Sequence, residues 1–139
     1  EEPVLAQDFI GHAEVTNAAE TPIQSGENWW GPLAFQQAIT ANASDLIMPD
    51  AMKIGGVSGW LEACNLGEQH KIPLSTHLWP ELNAQLLCLA PTAHWLEYND
   101  WWSVVIADPL QIRDGESVID GFCGSGIDWN ETAISRYAA

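Results

Sequence analysis

Basic side chains are scarce in this sequence. Its 139 residues include four lysines and arginines against nineteen acidic side chains, and the formal net charge is −15. A surface of this sign repels the phosphates of nucleic acids and the headgroups of anionic membranes, so we expect neither as a partner. The acidic residues are scattered along the chain, and most of them are expected to lie on solvated helix faces.

Long apolar runs and paired cysteines are missing as well. No run reaches the ~18 uninterrupted apolar residues of a membrane span, and we expect no basic-then-apolar secretory leader. The chain begins with Glu1 rather than methionine, so we expect a processed or truncated start. The three cysteines are widely spaced, without a Cys-x-x-Cys pair, which favours a reduced, cytoplasmic protein.

Short strand-like runs alternate with longer amphipathic stretches along most of the chain. Strands are predicted at 22–26, 46–49, 72–76 and 95–96, and helices at 8–19, 31–43, 57–71 and 80–90. In the third helix the predicted apolar face consists of Val57, Leu61, Cys64 and Leu66. This alternation predicts right-handed βαβ units and a parallel sheet. Further along, strands at 104–110 and 117–119 are predicted to be joined by a turn at Asp114-Gly115.

Ionisable side chains end the predicted strands. The runs end at Glu27, Asp50, His77 and Glu97, Glu1 stands one unit earlier, and successive positions are 20 to 27 residues apart. The carboxyl ends of the strands in a parallel barrel open into a common mouth, so these five side chains are expected to converge on one pocket. The alternative is that they are ordinary loop acids and helix caps.

Several segments resemble mandelate racemase and its subgroup of the enolase superfamily, the mandelate racemase and muconate lactonizing enzyme family. They are residues 26–29, 48–56, 75–78 and 91–97, and Glu1-Glu2-Pro3 is similar to the family's fourth-strand motif. The resemblance implies an α/β fold: the C-terminal half of a modified TIM barrel, (β/α)7β, at 1–98, from the end of strand four to strand eight. It implies a tail with a β hairpin at 99–139, which packs on the barrel exterior and on a capping domain. It also implies that this N-terminal capping domain and the first half of the barrel are missing here, and we expect a homo-oligomer.

The resemblance also implies residue roles in a Mg²⁺ site. Glu1 and Glu27 match two of three carboxylate ligands for Mg²⁺, a hard cation that prefers oxygen. His77 matches the general base, and Asp50 matches the partner that orients it. Glu97 matches the acid that donates a hydrogen bond to the developing enediolate, and it has to be protonated to do so.

Other residues near these positions are candidates for substrate binding. Asn28 and Trp29 follow a metal ligand and Trp79 follows the base, so they are expected to line the pocket, with core packing as the alternative for Trp29. Lys53 is expected to form a salt bridge or to lie along the surface. In the family, the first metal ligand and a Lys-x-Lys motif on the opposite face of the substrate fall upstream of residue 1.

The function implied is an enzyme that abstracts the proton α to the carboxylate of a small substrate through an enediolate. Our main interpretation is a racemase of a 2-hydroxy acid, and the alternative within the superfamily is an acid-sugar dehydratase. An alternative from another class is a non-catalytic half-barrel fragment that pairs through its strand edges. A complete barrel takes about 250 residues, so the 139-residue chain alone is expected to be inactive.

Overall fold

The fold is an alternation of helices and short parallel strands, followed by a tail. A computed structural model describes residues 1–138. The first part contains α1 (Phe9–Ala18), β1 (Gln24–Ser25), α2 (Gly31–Thr40), β2 (Leu46–Ile47), α3 (Gly56–His70) and α4 (Pro80–Leu87). The four predicted helices are therefore present; their starts lie within one residue and their ends within three residues of the predicted ones. None of the described helices is long and apolar enough to cross a membrane.

Four successive segments lie side by side in parallel. β1 pairs with β2, with Ser25 opposite Ile47. Isolated bridges extend this arrangement from Ile47 to Leu74 and from Leu74 to Ala93. The predicted parallel sheet is present, but its last two members are held by isolated bridges rather than by long ladders, and the last bridge lies at Ala93 rather than in the predicted strand at 95–96. The carboxyl ends of these segments consequently share one edge.

The core lies between the parallel segments and the helices. Phe35 from α2, Trp60 from α3, and Ile47 and Leu74 from the strand segments are all fully buried. Burying large side chains of this kind contributes roughly 1.5–3 kcal/mol each.

The inward face of α3 differs from the predicted one. Its buried residues are Gly59, Trp60, Ala63, Cys64 and Gly67. Val57 and Leu61 were predicted to belong to this face, but they are 47% and 37% exposed. The helix is thus rotated so that two glycines and an alanine allow close packing.

The tail forms a hairpin whose first strand is displaced from its predicted position. The predicted strand at 104–110 is wrong, since Ser103–Val105 is a 3₁₀ turn, and β3 runs over Gln111–Arg113. β3 pairs antiparallel with β4 (Glu116–Val118) through the turn at Asp114-Gly115. Both turn residues have positive φ, as a two-residue hairpin turn requires. α5 (Glu131–Ile134) follows, and the division of the chain at residue 98 stays a prediction.

Candidate active site

Three of the predicted strand-end residues meet directly. Asp50 and His77 form a parallel bridge, and Asp50 Oδ2 lies 2.7 Å from His77 Nδ1. The other ring nitrogen, Nε2, lies 3.2 Å from Oε2 of Glu27. Gly26, with φ of 141°, allows this close approach, because a Cβ there would lie 3.0 Å from the backbone N and O of Met48. Glycine therefore sets the distance between the segment that carries Glu27 and its neighbour.

Asp50 is held rigidly and is ionised. Its side chain is 4% exposed, and Oδ1 accepts hydrogen bonds from the N–H groups of Met52 at 2.7 Å and Lys53 at 2.9 Å. Burial by itself would raise the pKa of Asp50. The hydrogen bonds from His77 and from these two N–H groups outweigh burial, so the pKa of Asp50 is lowered.

His77 lies between two carboxylates. Burial alone would lower the pKa of His77, but its hydrogen bond to Asp50 and the charges of Glu27, Glu97 and Asp50 outweigh burial and raise it. Asp50 accepts a hydrogen bond from Nδ1–H, which leaves Nε2 of the neutral ring as the atom that can accept a proton. The pair thus has the arrangement of a general base with an orienting partner.

Glu1 and Glu27 form a pair of adjacent carboxyl groups. Desolvation of its carboxyl, a hydrogen bond to Glu27 and the charge of Glu27 raise the pKa of Glu1. Such a pair offers hard oxygen ligands, which suit Mg²⁺, and a divalent cation would relieve the repulsion between the two groups. Within residues 1–138 no cluster of three or more histidine, cysteine or acidic side chains is arranged to hold a metal.

Glu97 lies close to the same group. Its Oε2 accepts a hydrogen bond from the N–H of Leu78 at 2.6 Å, and its own N–H donates to Thr76 Oγ1 at 3.1 Å. Its charge acts on both His77 and Glu1. The structure therefore brings all five strand-end side chains together, and Oε1 of Glu97 makes no hydrogen bond among the described residues.

A strained turn after His77 is held by a buried asparagine of α4. Leu78 and Trp79 have φ values of 50° and 46°, which non-glycine residues rarely adopt. Asn83 is fully buried, and its Nδ2 donates to the carbonyl oxygens of His77 at 3.0 Å and Leu78 at 2.6 Å. The only signal in the sequence was an asparagine in the first turns of the helix after the base.

The candidate substrate-binding residues have different surroundings. Trp29 is 2% exposed, its ring centroid is 5.0 Å from that of Phe35, and its Nε1 donates to Ala6 O. It packs in the core, which was the stated alternative to a place on the pocket wall. Trp79 stacks on Trp102 with centroids 5.0 Å apart, next to the turn that carries His77.

Asn28 and Lys53 contact each other. Lys53 Nζ donates to Asn28 Oδ1 at 2.8 Å, and Asn28 Nδ2 donates to Glu2 Oε2 at 2.8 Å and to Glu27 Oε1 at 3.1 Å. The salt bridges of the described residues both involve His77, so the expected salt bridge of Lys53 is replaced by a bond to an amide. Glu2 was not anticipated as a member of this group.

Known proteins share both the sequence and the shape of this chain. Over 133 residues it is 35% identical to L-talarate/galactarate dehydratase of Salmonella typhimurium, which covers 96% of this chain and 33% of that protein. A solved enolase from Bradyrhizobium, complexed with magnesium and mandelic acid, is 45% identical, with a TM-score of 0.93 over 97% of this chain and 37% of that one. An L-talarate/galactarate dehydratase variant liganded with Mg and L-glucarate is 34% identical, with a TM-score of 0.89 over 96% of this chain and 34% of that one.

These matches define the family but cover part of each relative. The chain spans about a third of the length of the proteins that it resembles. Residues 1–133 match the family described as Enolase C-terminal domain-like. The chain therefore belongs to the enolase C-terminal domain-like family and has the α/β fold of that barrel domain.

Proposed function

We propose that this protein is a Mg²⁺-dependent enzyme that removes the proton α to the carboxylate of an acid sugar and expels the hydroxyl group of the neighbouring carbon as water. The similarity to L-talarate/galactarate dehydratase, and to the form liganded with L-glucarate, supports this reaction. It thus supports the dehydratase alternative of the sequence analysis more than the racemase, although both reactions begin with the same proton transfer.

The contact between Asp50 and His77 carries the proposal. The 2.7 Å hydrogen bond to an ionised, buried carboxylate fixes the ring and stabilises the imidazolium that forms when Nε2 takes a proton. The C–H bond breaks, the proton moves to His77 Nε2, and the electron pair moves toward the substrate carboxylate. A base of this kind contributes about 10²–10⁴-fold to the rate.

Glu1 and Glu27 would hold Mg²⁺, because their adjacent carboxyl groups are oxygen donors of the type this ion prefers. Bound there, Mg²⁺ would supply a Lewis acid that neutralises the negative charge developing on the substrate carboxylate. Glu97 in its protonated form would donate a hydrogen bond to the same developing charge. Its Oε2 is fixed by the N–H of Leu78, which leaves Oε1 for the substrate.

Dehydration requires the electron pair to expel the neighbouring hydroxyl. The departing group needs a proton to leave as water, and the proton on His77 Nε2 is a source on the reacting side. The remaining enol tautomerises to a 2-keto-3-deoxy acid. This product accounts for all atoms without a redox partner.

Racemisation of a 2-hydroxy acid is the second candidate, and one observation favours it. The Bradyrhizobium enolase, at 45% identity, is complexed with mandelic acid, which is a 2-hydroxy acid. Such a reaction needs a second base on the opposite face of the α-carbon. The family resemblance places that base, a lysine, outside this sequence.

An assay of α-proton exchange and of the products formed distinguishes dehydration from racemisation. The intact protein is incubated in D₂O with a panel of acid sugars and 2-hydroxy acids, with Mg²⁺ or with a chelator. NMR then reports loss of the α-proton and formation of a keto acid, and polarimetry reports racemisation. We expect Mg²⁺-dependent exchange, with keto acid formed from an acid sugar.

Two matched variants complete the test. His77→Asn is expected to lower exchange by about 10²–10⁴-fold. His70→Asn, at an exposed position at the end of α3, is expected to leave it unchanged. Exchange that survives the chelator, or that persists in His77→Asn, contradicts the mechanism. An intact mass equal to that of the 139 residues, together with no exchange, supports the non-catalytic half-barrel instead.

A further inference from the structure

We propose that Asn28, anchored by Lys53, is a positioning residue for Glu27, an inference that rests on the Mg²⁺ site proposed above. Asn28 was considered as a substrate-binding residue because it follows Glu27 in the sequence. Its contacts assign it a different role, in which it acts on the metal through the carboxylate beside it.

The amide of Asn28 is fully oriented by its partners. An ammonium group can only donate, so Asn28 Oδ1 faces Lys53 Nζ at 2.8 Å. The Nδ2 group can only donate, and it faces the carboxylate oxygens Glu2 Oε2 at 2.8 Å and Glu27 Oε1 at 3.1 Å. Both hydrogens of Nδ2 are therefore used within the protein, and neither is left for a substrate hydroxyl.

Lys53 is itself fixed at three points. Its N–H donates to Asp50 Oδ1 at 2.9 Å, its carbonyl oxygen accepts from the N–H of Gly31 at 3.2 Å, and its Nζ donates to Asn28. One residue thus connects the partner of the base to the start of α2 and, through Asn28, to the proposed metal ligand. A side chain anchored in this way holds the Asn28 amide at a set distance from Asp50.

Lys53 forms no salt bridge among the described residues, and its ammonium group contacts the acidic group through this amide. The other basic residues lie elsewhere, at the end of α3, in β3 and after α5, and they are Lys71, Arg113 and Arg136. A cation on Oδ1 polarises the amide and strengthens the hydrogen bonds that Nδ2 donates. The bond to Glu27 is therefore stronger than that of an isolated asparagine.

The position of Glu27 matters because His77 competes for the same carboxylate. Oε2 of Glu27 lies 3.2 Å from His77 Nε2, whereas Oε1 is held by Asn28. Partners that hydrogen-bond a ligating carboxylate orient it, and losing one typically costs 10–100-fold in metal affinity. Asn28 sets the direction of the carboxylate and so limits how far Glu27 can turn toward the base.

Replacing Asn28 with leucine tests the positioning role without changing the charge of the site. Mg²⁺ binding to the intact protein is measured by calorimetry, and Mn²⁺ binding by EPR, with thermal unfolding to check the fold. We expect the metal dissociation constant to rise about 10–100-fold. An unchanged metal dissociation constant together with a raised KM would make Asn28 a substrate-binding residue and overturn the proposal. Asn28→Ala is the second variant if the leucine variant does not fold.

The role of Lys53 follows from a double-mutant cycle. Removing its charge with Lys53→Met should by simple electrostatics favour a divalent cation nearby, whereas loss of the anchor should disfavour it. We measure the factor by which Lys53→Met multiplies the Mg²⁺ dissociation constant in each background. We expect this factor to be at least about threefold larger in the wild-type background than in the Asn28→Leu background. Equal effects of Lys53→Met on the dissociation constant in the two backgrounds would refute the proposal that Lys53 acts by anchoring Asn28.

A control and the wild-type measurement separate the possible failures. Lys71→Met, at the exposed end of α3, is expected to show no coupling to Asn28. If the wild-type protein binds no Mg²⁺, both the proposed function and the positioning role of Asn28 are refuted. If the wild-type protein binds Mg²⁺ while both Asn28 variants bind it equally well, only the positioning role is refuted.

Discussion

Replacing Asp50 with asparagine is expected to reverse the protonation of His77 while keeping the turn around it. The amide oxygen can take the place of Oδ1 and accept the N–H groups of Met52 and Lys53, now at 2.7 and 2.9 Å. The NH₂ group then takes the place of Oδ2, which lies 2.7 Å from His77 Nδ1. Two donors cannot face each other at this distance, so Nδ1 becomes the acceptor and Nε2 carries the hydrogen.

The size of the effect follows from this exchange of tautomers. A His77 ring that already carries a hydrogen on Nε2 cannot take the substrate's α-proton there. The equivalent aspartate-to-asparagine change in a serine protease triad lowers kcat about 10⁴-fold for this reason. We expect a loss of about 10²–10⁴-fold in α-proton exchange, with little change in the Mg²⁺ dissociation constant.

The assay measures α-proton exchange in D₂O at saturating Mg²⁺, with ¹⁵N NMR to report the tautomer of His77. Asp45→Asn is the matched control, because Asp45 stands just before β2 and its carboxylate accepts only an exposed bond from the N–H of Ile23 at 2.8 Å. Exchange at the wild-type rate in Asp50→Asn, or an Nδ1–H tautomer that persists in it, would refute the reasoning.

Two further predictions concern stability. The pKa of Asp50 is lowered, so its ionised form stabilises the fold fully above its ordinary pKa of about 3.9 and loses this effect as the pH falls through the lower folded value. The urea midpoint of the wild type should therefore fall more steeply below about pH 4 than that of Asp50→Asn. If the midpoints of the two proteins fall in parallel, ionised Asp50 does not stabilise the fold. Phe35→Ala should lower the free energy of unfolding by about 3–5 kcal/mol, because its ring is fully buried against Trp29. Leu33→Ala, at a 65% exposed position of the same helix, should change it by less than about 0.5 kcal/mol in urea unfolding, and equal losses would refute the core assignment.

The elements that could be predicted are those with a local cause. Pro32 and Pro80 stand at the starts of α2 and α4, where a missing N–H costs little, and both helices form there. The Asp114-Gly115 turn forms because both residues adopt positive φ. The strand before it was misplaced, because a short apolar run such as 104–110 does not distinguish a strand from a 3₁₀ turn followed by irregular chain.

The faces of the helices were harder to predict than the helices themselves. The periodicity of α3 predicted a stripe through Val57 and Leu61, yet Trp60 and Ala63 face the core. The periodicity of the sequence indicates that one side of α3 is apolar, but contacts with α2 and with the parallel segments determine which side is buried. Trp29 is a similar case, because its partners Phe9 and Phe35 come from two different helices.

The sequence by itself determined the order of helices and strands and the positions of Glu1, Glu27, Asp50, His77 and Glu97 at strand ends, because these depend on local period and spacing. Only the tertiary structure decided which atoms meet: Asp50 with Nδ1 of His77, Glu27 with Nε2, and Lys53 with Asn28. These contacts join residues 25 to 50 positions apart, so they exist only after the parallel segments align. Spacing along the chain can place a side chain at an edge, but packing determines its partner.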